Sequence, residues 1–171
     1  MVYHLVSQQQ GASLIQKEID RAAKIVFALK TYSHRCDTSE QSFLQITEGI
    51  EVALTLYHNR LKHGIQVIRQ YPSEIPEIWG NPDELTQVWV NLIDNAMYAM
   101  GEWGTLQITI TVQADHLTVA IMNSGPGISP EVQGRLFEPF FTTKPRGEGS
   151  GLGLDIVQKN YSEPRGGHSG H

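Results

Sequence analysis

The sequence predicts an α+β fold: a two-layer α/β sandwich in which a mixed sheet carries helices on one face, preceded by one long helix. Three observations lead there. Short runs of alternating apolar residues, around 65–71, 105–113 and 116–122, read as strands. Longer runs with apolar residues at helical spacing lie between and before them. The last two strands are joined by a tight "QAD" turn, which adds a hairpin to strands otherwise separated by helices.

In order along the chain, residues 12–34 carry Ile15, Ile19, Ala22, Val26 and Leu29 in steps of four and three, a heptad-like stripe widened by Leu14 and Ile25. That stripe covers about two heptads, and fits packing on its own domain as well as it fits a bundle or homodimer seam. The polar stretch "RCDTSEQS" marks the join to the main domain. A short strand is expected near "FLQI", then a helix from about Thr47 to His63 with Ile50, Leu54 and Leu61 on its apolar side. "GIQVIRQYP" reads as a strand and "PEIWG" as a short extended piece. Residues 82–100 give the clearest helix. Asn81 is a suitable N-cap, Pro82 suits the first helical position, and Glu84 lies three residues past the cap. Leu85, Val88, Trp89, Leu92, Ile93, Ala96, Met97 and Met100 line one face of that helix. Residues 123–150 show no period and are rich in glycine and proline, which suggests a functional loop such as a lid. Leu152–Lys159 returns to helical character, and 161–171 reads as a disordered tail.

Composition limits the functions available. The chain has 171 residues, 40% hydrophobic, enough to bury a core as one domain with an appendage. A net charge of −5 argues against a nucleic-acid binder. Cys36 is the single cysteine, so no intramolecular disulfide forms, and a reducing cytoplasm is the default. No apolar run approaches the ~18 residues that span a bilayer, and the first residues lack the layout of a signal peptide.

Gln87, Asn91 and Asn95 stand at i, i+4 and i+8, along one edge of the helix from Pro82. Two asparagines alone read as solvated surface residues. The alternative is that their oxygens approach Mg²⁺ and the phosphates it bridges, since this hard cation takes few protein oxygens and keeps several waters. Gly125 and Gly127 of "NSGPGI" let backbone pass close to a flat ring. Phe137, Phe140 and Phe141 form either a small satellite core or the anchors of a closing lid. Gly147, Gly149, Gly151 and Gly153 then run into a helix. That string is either a flexible loop or a backbone cradle for phosphate at a helix N-terminus. It is neither a P-loop nor a dinucleotide fingerprint by spacing.

In sequence order, "NLIDNA", "NSGPGI", "LFEPFFTTK" and "GEGSGLGL" resemble the N, G1, F and G2 boxes of sensor histidine kinases. These belong to the wider Bergerat-type ATPase superfamily with type II topoisomerases, a heat-shock chaperone and mismatch-repair ATPases. The wording "EPFFTTKPRGEGSGLGL" is most similar to nitrogen-regulator type kinases. The resemblance runs from about residue 12 to 160, and it implies a Bergerat ATP-binding fold with ATP and Mg²⁺ as cofactors. It casts Asn95 as the Mg²⁺ ligand and Asn91 as its neighbour at the phosphates, with Lys144 on the lid as a further catalytic phosphate contact. Asn123, Gly125, Gly127 and Ile128 would hold the adenine. Tyr98, Phe137, Thr142, Thr143, Gly149, Ser150, Gly151, Leu152, Gly153 and Leu154 would complete the nucleotide site. Residues 1–36 would carry the second helix of a dimerisation and phosphoacceptor bundle, and 37–160 the ATP-binding catalytic domain. The hydrolysing relatives place a glutamate base where this chain has Asn91, so the resemblance favours transfer over hydrolysis.

The sequence departs from the family in three respects. The phosphoacceptor signature is absent: His4, His34, His58 and His63 lie in other surroundings and read as surface or packing residues. The γ-phosphate would then go to a histidine helix on another chain, with a response regulator downstream, and any membrane link would run through a sensor part outside this chain. Asn123 stands where the family has aspartate, and Tyr98 where many relatives carry lysine or another polar residue. Asparagine lacks the charge that strengthens a bond to the adenine amine, so weaker binding and poorer selection against guanine are expected. Finally, "QKNYSEPRGGHSGH" replaces the further strands expected at the C-terminus, which would leave a sheet edge uncovered. Two functions follow: a kinase module acting on another chain, or a nucleotide-binding regulatory module without phosphotransfer.

Overall fold

A computed structural model of the chain describes residues 41–145, together with Ile15, Gly151, Gly153, Leu154 and Val157. The chain divides into two compact units, Met1–Glu40 and Gln41–His171. Of the first, only Ile15 is described, and it is helical. The rest of the expected 12–34 helix, and the tail 161–171, lie outside the described residues.

The second unit is built on two sheets. The first strand, β1 (Ser42–Leu44), pairs antiparallel with β3 (Ile78–Gly80). Phe43 opposes Trp79 in that pair, with ring centroids 4.9 Å apart in an edge-to-face arrangement. The larger sheet has the order β2-β4-β5, formed by Ile65–Gln70, Gly104–Val112 and Leu117–Asn123. β2 runs parallel to β4 from Ile65↔Gly104 to Gln70↔Thr109, and β4 runs antiparallel to β5 from Leu106↔Asn123 to Val112↔Leu117. The sheet is therefore mixed, as expected, and the hairpin closes with the Gln113 N–H donating to the His116 carbonyl at 2.9 Å.

Alternation along β4 decides which face is covered. Leu106, Ile108 and Ile110 are buried, whereas Gln107 and Thr109 on the opposite face bond to Gln70 of β2. Two helices, α1 (Ile46–Leu56) and α3 (Pro82–Met100), pack on one another. Ile50, Ala53, Val88, Trp89, Ile93 and Met97 fill the core they share with the sheet. α3 begins as its sequence dictates: the Asn81 side chain accepts from the Asp83 and Glu84 N–H groups at 2.9 and 3.1 Å.

One boundary differs from expectation. The helix predicted from about Thr47 to His63 is broken at Tyr57, leaving α1 and a single turn, α2 (His58–Leu61). Tyr57 leaves helical geometry (φ −100°, ψ 9°) while burying its ring to 3% exposure, so core packing outweighs the helical pattern there. The stretch after β5 contains one further short helix, α4 (Pro130–Gln133), capped by Ser129. Gly153, Leu154 and Val157 are helical, in agreement with the helix expected there.

Candidate functional site

The polar edge of α3 gathers distant parts of the chain. Gln87, buried to 8% exposure, donates its Nε2 to Asn91 Oδ1 at 3.0 Å, and Asn91 Nδ2 donates to the Gly153 carbonyl at 3.2 Å. Asn91 is therefore not a solvated surface residue. Its amide joins the middle of α3 to the glycine string 62 residues away. A Cβ at Gly153 would stand 3.4 Å from the Asn91 side chain, an ordinary van der Waals contact, so this bond does not itself require glycine. Asn95 is half-buried one turn further along the same helix edge.

The loop 136–145 is fastened at two points. The Phe140 N–H donates to the Gly151 carbonyl at 2.9 Å. Both residues sit at positive φ, 65° and 66°, and a Cβ on Gly151 would fall 2.3 Å from the Phe140 carbonyl carbon. Only glycine fits there. At the second point Lys144 Nζ donates to Asp94 Oδ2 at 2.9 Å, with both side chains largely buried, and lies 4.8 Å from the centre of the Tyr98 ring. Arg60 of α2 approaches the other Asp94 oxygen at 3.9 Å. Lys144 therefore sits on a carboxylate of α3, a contact that the sequence did not indicate. Arg135, just before the loop, pairs with Glu138 and stacks over Phe141, while within the loop the Lys144 N–H donates to Thr142 Oγ1. Thr143 is exposed, as are Phe137 and Phe140, which argues against a satellite core under them.

The turn after β5 packs against the far end of α3. A Cβ on Gly125 would lie 2.9 Å from the Ala99 carbonyl oxygen, so the turn rests directly on the helix backbone. The Gly125 N–H donates to Asn123 Oδ1 at 2.9 Å, Gly127 adopts φ +79°, and Ile128 is half exposed with its carbonyl accepting from Gln133. Asn91 and Ala99 are eight residues apart, so the glycine-string contact and this turn lie about 12 Å apart along α3, with Asn95 midway.

The structure thus brings Asn91 to Gly153, Gly151 to Phe140, Lys144 to Tyr98, and the 123–127 turn to the end of α3. Leu154 is half-buried in the following helix; Gly149, Ser150 and Leu152 lie outside the described residues. Asp94 and Arg60 were missed by sequence reasoning. Asp94 falls in the same segment as the two asparagines, but nothing in its spacing signals a lysine 50 residues on. Among the described residues, no group of three or more His, Cys, Asp or Glu side chains could hold a metal. A cation at this edge would be held mainly by ligand oxygens and water, with an amide oxygen such as that of Asn95 as the protein's share. That donor set suits Mg²⁺.

Comparison with known proteins identifies the family and the fold. The profile described as "Histidine kinase-, DNA gyrase B-, and HSP90-like ATPase" matches residues 80–170. The chain is 30% identical over 172 residues to sensor histidine kinase ZraS of Escherichia coli strain K12, covering 92% of this chain and 33% of that protein. It is 31% identical over 177 residues to sensory histidine kinase/phosphatase NtrB of Rhizobium meliloti strain 1021, covering 92% of this chain and 44% of that protein. The chain spans less than half the length of either relative. Among solved structures, the catalytic domain of histidine kinase ThkA superposes with a TM-score of 0.64 at 33% identity, covering 71% of this chain and 79% of that one. ThkA in complex with response regulator protein TrrA superposes at 0.61 with 26% identity, covering 86% and 43%.

Proposed function

The chain belongs to the histidine kinase-, DNA gyrase B- and HSP90-like ATPase family, and from that premise we propose that it is the ATP-binding catalytic module of a two-component sensor kinase. It binds Mg-ATP and passes the γ-phosphate to a histidine on another chain, with a response regulator downstream. The observation that supports this best is the Gln87–Asn91–Gly153 chain of hydrogen bonds, which sets the glycine string against α3.

On this reading the base lies against the turn of Asn123, Gly125 and Gly127, and the phosphates lie toward Gly151 and Gly153. Backbone N–H groups at the start of the last helix would receive phosphate oxygens. The Asn95 oxygen would hold Mg²⁺, which supplies charge neutralisation when bound. Asn91 positions the glycine string through its Nδ2, while its Oδ1 is held by Gln87. An amide does not accept a proton from water at neutral pH, so this position favours transfer to a histidine over hydrolysis. Lys144 rests on Asp94 and would reach a phosphate only by leaving that carboxylate.

Residues 1–36 would carry a helix of the dimerisation bundle. No helix among the described residues is long and apolar enough to cross a membrane, and the module would work in the cytoplasm.

The test is a titration with a fluorescent ATP analogue, with and without Mg²⁺, followed by transfer of labelled γ-phosphate to a supplied acceptor-histidine helix. Saturable, Mg²⁺-dependent binding that Asn95→Asp and Gly151→Ala each weaken by tenfold or more is the expected result. Binding without transfer would instead favour the regulatory module, a reading to which the asparagine at 123 lends support.

A further inference from the structure

Asn123 ends β5 and begins the turn into Gly125, and its side chain faces two ways. One end meets the Gly125 N–H at 2.9 Å. A backbone N–H can only donate, so the side-chain atom there must be the carbonyl oxygen. The planar amide then carries its NH₂ group on the opposite side, at an exposed position. Reversing the amide would set its NH₂ against the Gly125 N–H, donor to donor. A Cβ at Gly125 would stand 2.7 Å from Asn123 Oδ1 and 2.9 Å from the Ala99 carbonyl oxygen, so the glycine is wedged between them. An aspartate at this position would receive the same N–H on one oxygen and offer the second as an outward acceptor. Asparagine offers a donor instead.

Resting on the reading that this turn holds the nucleobase, we propose that Asn123 selects a 6-oxo purine, as in inosine or guanosine triphosphate, at least as well as adenine. The exocyclic amine of adenine would bring N–H toward N–H, leaving both donors without an acceptor. A 6-oxo group brings an acceptor to the same amide. The triphosphate contacts are common to all these nucleotides, so the consequence is a change in base preference and not a loss of binding.

The experiment uses the 171-residue chain with the fluorescent ATP analogue bound in Mg²⁺, displaced by unlabelled ATP, ITP or GTP. ITP differs from ATP only at the six position and the adjoining ring nitrogen, so it isolates this contact. On the unmodified chain ITP is expected to displace the analogue at a concentration equal to or below that of ATP. Asn123→Asp keeps the acceptor for Gly125 and is expected to move the ITP-to-ATP preference about tenfold toward ATP, the scale of one base-reading contact. ATP tighter than ITP by tenfold on the unmodified chain overturns the proposal, as does a preference that Asn123→Asp leaves unchanged. An analogue that does not bind at all would overturn the nucleotide-binding reading and this inference with it.

Discussion

Asn91 accepts from Gln87 at one end of its amide and donates to the Gly153 carbonyl at the other, so the two ends are not interchangeable. Asn91→Asp keeps the acceptor for Gln87 but turns a carboxylate oxygen toward a carbonyl oxygen. The expected outcome is release of the Gly153 contact at a cost of about 1–3 kcal/mol, read as a lower midpoint in urea unfolding. Gly151 is constrained differently. Its φ of +66° and the 2.3 Å approach of Phe140 backbone leave no space for a Cβ. Gly151→Ala should therefore weaken analogue binding while far-UV circular dichroism stays unchanged, because the contact lies outside the core. A loss of helix signal would mean that the loop supports the fold as a whole. At both positions the residue type was visible in the sequence, but its partner was not.

Among the elements, α1 and α3 approach closely at Gly49, where a Cβ would meet Thr86 Oγ1 at 3.1 Å and Trp89 Cδ1 at 3.2 Å. Gly49→Leu is expected to force the two helices apart and to destabilise the chain by about 1–3 kcal/mol in the same unfolding assay. α1 is also tied to β2 through Arg69, whose Nε and Nη2 meet the two Glu51 oxygens at 2.7 and 2.9 Å. That bidentate bond holds the Glu51 carboxyl below its ordinary value of 4.5, against the opposing effect of its partial burial. A depressed carboxylate pKa stabilises the fold above the unfolded value, and the benefit is lost as pH falls through the lower folded value. Both side chains are more than a third exposed, so solvent screening limits the effect to about 1 kcal/mol or less. The stability difference between the unmodified chain and Glu51→Gln should therefore be present at pH 7 and shrink below pH ~4.5. A difference that stays constant down to pH 2 would contradict it. Neighbouring Tyr71 is pushed up to about 12, chiefly by burial. Its contribution to stability is intact below pH 10 and is lost as pH rises toward 12.

For the molecule as a whole, a ligand that binds only the folded chain stabilises it by mass action. Mg-ATP at 100 times its Kd is expected to add about 2.7 kcal/mol, seen as a rise in Tm that EDTA largely reverses and Asn95→Asp reduces. An equal rise with and without Mg²⁺ would remove Asn95 from the role of metal ligand. How much of this protein could be read in advance depends on the range of the forces involved. The sequence by itself determined the elements whose signals are local. The Asn81–Pro82 start and apolar face of α3 gave that helix, and the alternation of 65–71, 105–113 and 116–122 gave the larger sheet, because capping and side-chain periodicity act within a turn or a strand. The ordered motifs were equally legible and gave the family. Only the tertiary structure decided the break at Tyr57, the parallel pairing of β2 with β4, the seating of Lys144 on Asp94, and the direction in which the Asn91 and Asn123 amides face. Each of these depends on which donor, acceptor or apolar surface the folded chain brings within a few ångströms, and spacing along the sequence carries no record of that.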